Sequence, residues 1–436
     1  MNGYELIAKI AEESREEMIT RRRDFHKHAE TGWFEMRTSS LIARELTNLG
    51  YEVLTGEDVI DPEARMGVPS EQELEEHYEK AIAQGADPEF VQHTRGGKTG
   101  VIGILRCGEG PTVAMRFDID ALGVFESDEP DHKPMAEGFA SVNYGSMHAC
   151  GHDGHATIGL GVAKALMAVK EQLHGTIRLI FQPGEEGVRG AKGIVEKGHL
   201  DGVDYFISGH LSKHAEGDPG QFIANCYGAL ATCKYDAVYH GFAAHAGGSP
   251  NSGKNAMLAA CTAVLNLQAI PRHGAGATRI NVGRLIAGSG RNVICDEAKL
   301  ELEVRGATAE LNEYMSNYAE RVLKAAADMH DCTVDVKLMG SAIPMKSDEE
   351  LAARVRKVAE EKMGMVHDHR DTFKSSGSED CSYMMKRVQE QGGQAIYMRL
   401  MTTMAAGGHN RRYDFGEKVL VDGVKIYAAA ALDLMG

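Results

Sequence analysis

Residues 176–182 have the sequence Thr-Ile-Arg-Leu-Ile-Phe-Gln, and Pro-Gly-Glu-Glu follows at 183–186. The first part is a run of residues that favour β-structure, and Pro183 predicts where the strand ends. Glu185 and Glu186 are adjacent in irregular backbone, so their side chains project in different directions. One carboxylate can therefore bind a metal ion while the other acts as a general base. Two solvated glutamates in a turn are the alternative, and the buried strand directly before them favours the functional interpretation.

Three other stretches also place metal-binding residue types after an apparent strand. They are Met147-His-Ala-Cys-Gly-His-Asp-Gly-His155, Ser208-Gly-His210 and Gly407-Gly-His409-Asn410. In open α/β sheets, ligands bind beyond the carboxyl ends of the strands. We therefore expect these stretches and the glutamate pair to form one shared metal centre.

Cys150 and His152 are two residues apart, so in an extended segment their side chains would point to the same side. Thiolate and imidazole both bind borderline divalent ions well. A buried cysteine beside a surface histidine is the alternative, but three histidines and one cysteine within nine residues favour a metal site. His210 follows an apolar strand and completes the set, whereas His409 has the weakest local signal.

Composition limits the classes of function. The chain has 436 residues, 43% of them hydrophobic, which exceeds the size of one ordinary core and predicts two domains. A net charge of -16 argues against nucleic acid or an anionic membrane surface as partner. No segment approaches the ~20 apolar residues of a membrane span, and no export signal is visible, so we expect a cytoplasmic location. The eight cysteines are spread singly, which favours reduced thiols.

The first half of the chain alternates strands with helices, and this order predicts an α/β domain with a mostly parallel sheet. Residues 61–98 form an acidic insertion that is too long for an ordinary connection. Asp153 is expected to cap the helix that begins beside it. The predicted elements are helices at 4–28, 36–49 and 153–173 and strands at 100–105, 112–117, 176–181 and 203–208.

The character of the sequence changes near residue 225. The order strand-helix-strand-strand-helix-strand then predicts a small inserted α+β domain of ferredoxin-like type at 225–341. Residues 1–224 and 342–436 would form one discontinuous metal-binding catalytic domain. The elements predicted from here on are strands at 230–240, 279–287, 298–305, 334–339 and 395–400 and helices at 252–269, 309–330 and 348–363.

Four segments together resemble the aminoacylase and amidohydrolase branch of the M20 metallopeptidases. They are His-Ala-Cys-Gly-His-Asp-Gly-His at 148–155, Phe-Gln-Pro-Gly-Glu-Glu-Gly at 181–187, Arg-Arg-Arg-Asp-Phe-His-Lys-His-Ala-Glu at 21–30 and Gly-Ser-Glu-Asp at 377–380. The resemblance implies two divalent metal ions, manganese or zinc, and Glu185 as the base. It also implies an inserted lid domain that mediates homodimerisation. The metal ligands that it implies are Cys150, His152, Glu186, His210 and His409.

The same resemblance implies an amidohydrolase for an N-acyl amino acid. The 61–98 insertion and Ala-Gly-Ser-Gly-Arg-Asn-Val at 287–293 are similar to members that act on p-aminobenzoyl-glutamate. His245 matches the lid histidine that stabilises the oxyanion, and Asn292 matches a further lid contact. Arg291, Arg189 and Arg305 are candidates to bind a substrate carboxylate, because guanidinium pairs with carboxylates bidentately. An ordinary surface ion pair is the alternative for each arginine.

Other functions remain open at this point. The acyl amino acid could be a hippurate, an indole-acyl or acetyl amino acid, or a dipeptide, and a second related subunit is a further partner to consider. A nucleotide-binding oxidoreductase would fit an α/β sheet, but Gly100-Val-Ile-Gly103 lacks the G-x-G-x-x-G turn. A catalytically idle subunit of the same fold is disfavoured by the intact Glu185.

Overall fold

A computed structural model describes residues 1–215, 217–375 and 377–436. The α-helices are, in chain order, α1 (Gly3–Glu13), α2 (Arg15–Lys27), α3 (Met36–Asn48), α4 (Glu71–Ala83), α5 (Lys133–Ala136), α6 (His152–Ala168), α7 (Ala191–Glu196), α8 (Ala256–Gln268), α9 (Ala309–Asp328), α10 (Glu349–Met363), α11 (Ser382–Glu390) and α12 (Val419–Met435). The strands are β1 (Glu52–Thr55), β2 (Val101–Arg106), β3 (Thr112–Asp118), β4 (Thr176–Gln182), β5 (Tyr205–Lys213), β6 (Phe222–Ile223), β7 (Cys226–Gly228), β8 (Ala231–His240), β9 (Thr278–Ala287), β10 (Glu297–Gly306), β11 (Thr333–Ala342), β12 (Met345–Lys346), β13 (Phe373–Ser375) and β14 (Gln394–Thr402). No helix among these residues is both long and apolar enough to cross a membrane.

The chain divides into two compact units. The large unit comprises Met1–Tyr227, Met345–Ser375 and Asp380–Gly436. The inserted unit comprises Gly228–Pro344 with residues 377–379. The large unit is therefore discontinuous in sequence. The prediction from the sequence bounded the inserted domain at residues 225 and 341.

The main sheet of the large unit has the strand order β1-β2-β4-β3-β5-β14-β6. Its centre, β4-β3-β5-β14, is parallel, whereas β1, β2 and β6 each run antiparallel to their neighbours. The sheet is therefore mixed, and the predicted mostly parallel sheet describes only its centre. One cause is the connection between β2 and β3, which spans only residues 107–111. A parallel arrangement needs a crossover of a dozen or more residues, so such a short link reverses the chain.

Helix α6 lies against this sheet, and its first residue is His152, one of the predicted metal ligands. Its residues are mostly apolar on every side, which is typical of a buried helix, and it packs against α12. Gly159 permits the close approach, because a Cβ there would lie 2.6 Å from the ring of Phe181 and 2.7 Å from the ring of Phe117. The first turn of α6 is thereby fixed next to the ends of β3 and β4.

The sequence predicts one helix over residues 4–28, but the structure has two. Helices α1 and α2 are separated at Ser14, whose φ of -86° and ψ of 1° lie outside the helical range. Apolar residues recur at helical spacing on both sides of Ser14. Periodicity alone therefore does not reveal a break of one residue.

The inserted unit has the order β8-α8-β9-β10-α9-β11, with an antiparallel sheet in the order β11-β8-β10-β9. Alternate residues of β10 face its core, as expected for a sheet with one buried face. Helices α8 and α9 pack on this sheet. Its role as a lid or dimerisation domain stays a prediction. The buried residues of β10 are Ala298, Leu300, Leu302 and Val304.

Candidate metal centre and active site

The glutamate pair lies in a tight turn directly after β4. Gly184 has a φ of +60°, a conformation that glycine adopts without strain. The buried carboxyl group of Glu35 accepts hydrogen bonds from the Gly184 amide (2.8 Å) and the Thr99 hydroxyl (2.7 Å). Burial, and then the charge of Asp120, raise the pKa of Glu35 to about 8. The turn that presents Glu185 and Glu186 is therefore held in place by a hydrogen bond to a buried carboxyl group.

Cys150 and His152 do not lie in an extended strand, so the argument from strand alternation was wrong. Gly151 between them is left-handed, with a φ of 96°, and His152 is the first residue of α6. A Cβ on Gly151 would approach the Tyr413 hydroxyl to 2.8 Å. Both side chains still reach the same cluster, because the glycine turns the chain between them. Glycine at 151 is therefore required both by conformation and by space.

The five predicted ligands come together in the large unit. Cys150 Sγ lies 3.2 Å from His210 Nε2, and Glu186 Oε1 lies 3.4 Å from His409 Nε2. Of the groups whose ligand atoms lie within 4.8 Å of one another, two have three residues each and share Cys150. Two neighbouring positions for a cation follow from this arrangement. The groups are Cys150, His152 and His210, and Cys150, Glu186 and His409.

The donor atoms fit a bound cation. His152 Nε2 and Glu186 Oε1 are buried and have no hydrogen-bond partner among the described residues. Burying such atoms without a partner is costly, and a cation bound by each of the two ligand groups would remove the cost. Desolvation, and then the Glu186 carboxylate, raise the pKa of the Cys150 thiol to about 12. A thiolate there therefore needs a cation to balance its charge. Sulfur, nitrogen and oxygen donors together suit a borderline divalent ion.

Two aspartates at the end of β3 orient the histidines. His152 Nδ1 lies 3.2 Å from Asp120 Oδ1, which leaves Nε2 to face the cluster. The other Asp120 oxygen accepts the Glu186 backbone amide at 2.8 Å. Burial alone would lower the pKa of His152, but the Asp118 charge and the Asp120 hydrogen bond raise it well above its ordinary value. A more basic imidazole is a stronger metal ligand.

His210 and His155 differ in the nitrogens that they leave available. His210 Nδ1 donates to the Leu211 carbonyl (2.6 Å), so its Nε2 carries the lone pair that faces Cys150. Burial, and then His155, lower the pKa of His210 well below its ordinary value, so the ring stays neutral. His155 bonds Asp118 through Nδ1 and accepts the Leu211 amide at Nε2. Both nitrogens of His155 are thus used by the protein, which suits a supporting residue.

Glu185 and Glu186 occupy different places in the cluster. Glu185 is 8% exposed, and its Oε2 lies 3.9 Å from His152 Nε2. It shares a group with His152 and Glu186, but the group that contains Cys150 and His409 includes Glu186 and not Glu185. Glu186 thus belongs to one of the two groups that contain Cys150, whereas Glu185 belongs to neither of them.

Asp153 is not the cap residue of α6, contrary to the expectation from the sequence, although its Oδ1 accepts the Gly154 amide of the first turn at 2.9 Å. Its Oδ2 accepts hydrogen bonds from Arg22 Nε (2.8 Å) and His26 Nδ1 (2.9 Å), and all three residues are buried. A second Arg22 nitrogen lies 2.7 Å from Asp414. The cap position is Gly151, without a side-chain hydrogen bond. The first turn of α6 is therefore anchored to α2 by buried charges, which the Arg-Arg-Arg-Asp-Phe-His run at 21–26 could have suggested.

The inserted unit brings three predicted site residues onto two paired loops. His245 forms a bridge with Val293, and the Ala246 amide donates to the Asn292 carbonyl at 3.0 Å. His245 Nδ1 accepts the amides of Gly247 (3.1 Å) and Gly248 (2.9 Å), so a neutral ring carries its proton on Nε2. His245, Arg291 and Asn292 are all exposed.

The other two arginines are engaged by the protein. Arg189 Nε donates to the Glu186 carbonyl (2.9 Å), and Arg189 Nη1 donates to the Gly67 carbonyl (3.2 Å). Arg305 pairs with Glu303 through two hydrogen bonds of 2.9 and 3.0 Å. The ion-pair alternative therefore holds for Arg305. Arg189 braces the backbone of the glutamate turn.

A profile of peptidase family M20/M25/M40 matches residues 114–433. This range contains the glutamate turn, the Cys150–His152 segment, His210 and His409. The chain belongs to this family. As an M20 protein it is a metal-dependent amidohydrolase of the carboxypeptidase type, and the nucleotide-binding oxidoreductase alternative falls away.

Relatives of this M20 protein match along nearly its whole length. It is 43% identical over 413 residues to a p-aminobenzoyl-glutamate hydrolase subunit of Escherichia coli (strain K12), covering 94% of each chain. It is also 43% identical to indole-3-acetyl-aspartic acid hydrolase of Enterobacter agglomerans, covering 96% of this chain and 95% of the relative. The crystal structure of aminobenzoyl-glutamate utilization protein from Klebsiella pneumoniae superposes with a TM-score of 0.83 at 37% identity, covering 97% of both chains.

Proposed function

We propose that this protein hydrolyses the amide of p-aminobenzoyl-glutamate to p-aminobenzoate and glutamate, with two divalent ions, manganese or zinc. The observation that carries the proposal is the pair of ligand groups that share Cys150, with the carboxylate of Glu185 beside them, 3.9 Å from His152 Nε2. Identity of 43% to a hydrolase named for that substrate supports the choice of acyl amino acid. The proposed ligands are Cys150, His152, Glu186, His210 and His409.

Bound cations at these positions would supply an acidified water and polarise the scissile carbonyl. Glu185 would take the proton from that water, because its carboxylate lies beside the ligand atoms without belonging to the Cys150–His409 group. Glu185 would then hold the proton that the departing amine needs. Asp120 keeps His152 and the Glu186 backbone in place through this cycle, since it bonds both.

His245 is proposed to donate a hydrogen bond to the oxyanion. Its Nδ1 accepts two backbone amides, so its Nε2–H is an outward donor whose tautomer is already fixed. A donor that is oriented before the reaction stabilises developing charge without reorganisation. Asn292, on the facing loop, is proposed as a second polar contact to substrate.

Arg291 is proposed to bind the glutamyl carboxylates. A chain of net charge -16 repels anions at long range, so an anionic substrate needs a local cation. Arg291 is exposed and makes no hydrogen bond or ion pair to another described residue. Arg189 has the weaker case as a substrate contact, because backbone carbonyls already hold its guanidinium.

An indole-acyl amino acid is the second candidate substrate, because a relative of equal identity is named indole-3-acetyl-aspartic acid hydrolase. Both named substrates join an aromatic acyl group to a dicarboxylic amino acid. Hippurate, acetyl amino acids and dipeptides lack one of these two features or both, and we expect them to be poorer substrates.

The inserted unit is proposed to form a homodimer. Edge strand β9 exposes Leu285 and Ile286, and α8 exposes Leu258, Cys261 and Leu265 at helical spacing. An open strand edge beside an apolar helix face is suited to pairing with a second copy. One relative is named as one subunit of its hydrolase, so a second related subunit is the competing arrangement.

A hydrolysis screen tests this proposal. Metal-depleted protein is reloaded with manganese or zinc and assayed with p-aminobenzoyl-glutamate, indole-3-acetyl-aspartate, hippurate and N-acetyl-glutamate, and its mass in solution is measured alone. We expect metal-dependent release of p-aminobenzoate at the highest kcat/KM, from a dimer. Turnover without any metal, or a preference for acetyl over aromatic acyl groups, would contradict it. The predicted cytoplasmic location stays a prediction.

A further inference from the structure

The segment between Asp120 and Cys150 is longer than a simple connection and begins and ends at the metal centre. Leu122 and Met147 face each other as an antiparallel bridge, with amide-to-carbonyl hydrogen bonds of 3.0 Å in both directions. Leu122 follows Asp120 by two residues, and Met147 precedes Cys150 by three. Residues 123–146, here called the rim segment, therefore form a closed loop whose base adjoins the proposed ligands.

The rim segment is also fixed at its middle. Glu126 accepts hydrogen bonds from His132 Nε2 (2.9 Å), His26 Nε2 (3.0 Å) and the Ser141 amide (2.6 Å). The Ser127 amide donates to the Arg411 carbonyl at 2.9 Å. Because Arg411 is two residues from His409, the backbone at 125 lies within about 20 Å of a proposed ligand, even with both links fully extended. Phe125 lies between the Leu122–Met147 bridge and Glu126, so its backbone has a defined position.

Two large aromatic rings stand on this anchored loop. Phe125 is 58% exposed and Tyr144 is 93% exposed, although both lie on backbone that is well tied down. Their ring centroids are 4.9 Å apart with an interplanar angle of 62°, an edge-to-face arrangement. Gly145 has a φ of 84°, and a Cβ there would lie 3.4 Å from the Phe125 ring. That distance is an ordinary van der Waals contact, so the positive φ is what favours glycine at this position.

The charges around the rings select the kind of group that can bind them. Residues 126–131 include four acidic side chains. Among the described residues, Arg411 pairs with Asp128 (3.3 Å), Arg412 pairs with Asp131 (2.9 Å), and Glu126 is paired with His26 and His132, so two permanent cations stand against four carboxylates. An excess of negative charge disfavours the carboxylates of a substrate on this side. The uncharged aromatic end of an acyl amino acid therefore suits this part of the rim segment better than the carboxylate end does.

We propose that Phe125 and Tyr144 form the subsite for the aromatic ring of the acyl group. The inference rests on the proposed function, because it deepens the substrate class of the same metal centre. A planar ring stacks on the edge-to-face pair while its carbonyl extends toward the ligands at the base of the rim segment. The common aromatic acyl group in the names of two relatives fits the same subsite.

Substitutions at these rings test the subsite with matched substrates. Phe125→Leu and Tyr144→Leu keep apolar bulk and remove the ring, and we expect kcat/KM for p-aminobenzoyl-glutamate to fall about 3- to 10-fold in each. N-acetyl-glutamate has the same amino acid without a ring, and its kcat/KM should stay within about 2-fold of the parent value. Tyr144→Phe should behave as the parent protein. Met135→Ala removes another exposed apolar side chain of the rim segment and should change neither substrate.

Equal losses for both substrates, or no loss for either, would overturn the subsite. A change of oligomeric state in the Leu variants would identify the rings as a contact with a second copy and would also overturn it. Binding measured by calorimetry in metal-loaded Glu185→Gln protein separates this inference from the proposed function. If the parent protein cleaves no acyl-glutamate, the proposed function fails; the subsite then stands only if the ring variants lose affinity for p-aminobenzoyl-glutamate and not for N-acetyl-glutamate.

Discussion

The ligand cluster of the large unit, apart from the exposed His409, and the paired loops of the inserted unit present their functional side chains in opposite ways. His152 is fully buried and Glu185 nearly so, and a buried carboxylate fixes the orientation of His152. His245, Arg291 and Asn292 are exposed, and mainly backbone bonds hold their loops together. Metal ligands must be preorganised, whereas a side chain that recognises a substrate carboxylate can reorient when the substrate arrives. Substitutions in the cluster should therefore act on metal and chemistry, and those in the loops on substrate affinity.

The largest expected effect is that of Glu185→Gln, which removes a base from the cluster and leaves the ligands in place. We expect kcat to fall by roughly 10²-fold or more, because an amide does not accept the proton from water. Metal content, measured by mass spectrometry, should equal that of the parent protein. Turnover near the parent value would show that Glu185 is not the base, and loss of metal would make it a ligand.

The second largest expected effect is that of removing a metal ligand. Cys150→Ala and His152→Ala should lower bound metal together with activity, with activity falling by about 10-fold or more. Cys107→Ala is the matched control, since this free thiol lies in the connection between β2 and β3 and belongs to neither ligand group. Full metal occupancy and full activity in either ligand variant would remove that residue from the metal centre.

Arg291→Ala should instead change substrate affinity. The KM for an acyl-glutamate should rise far more than that for the matching acyl-alanine, by the ~1.5 to 3 kcal/mol of a charge-assisted hydrogen bond, or about 10-fold or more. Arg305→Ala is the control in the same unit, because Glu303 already pairs with that guanidinium. Equal weakening of both substrates would mean that Arg291 only holds the loop.

The smallest expected effect concerns the charges that anchor α2. Burial would raise the pKa of Glu417, but hydrogen bonds from Arg23 and Lys133 outweigh it and lower this pKa to about 2. Its folded pKa is thus below the unfolded value of ~4.3, so its contribution to stability is present above that value and is lost as pH falls toward 2. Glu417→Gln should lower the unfolding free energy at pH 7 by at most about 1 kcal/mol.

The same substitution should also reduce the loss of stability between pH 5 and pH 3. Urea unfolding of chelated parent and variant proteins at several pH values measures both effects. If the two proteins lose stability in parallel across this range, Glu417 is not among the groups that carry the acid sensitivity.

The sequence by itself determined much of the candidate site, because its signals are local. Glu185 and Glu186 follow a β-forming run that Pro183 ends, and Cys150 and His152 lie in one short cluster. Strand and helix periodicity likewise placed most elements within a few residues, and the change of pattern near 225 lies close to the start of the inserted unit at Gly228. Each of these features depends on neighbours along the chain.

Tertiary structure alone decided how the site is held. Asp120 meets His152 across 32 residues, Arg22 meets Asp153 across 131, and Glu35 meets the Gly184 amide across 149. Nothing near Asp153 in the sequence distinguishes a partner of a distant arginine from a helix cap, so local propensity predicted the wrong role. The antiparallel edges of the sheet depend in the same way on which strands become neighbours. Pairings of this kind are fixed by packing between distant segments, and periodicity in a single sequence does not record them.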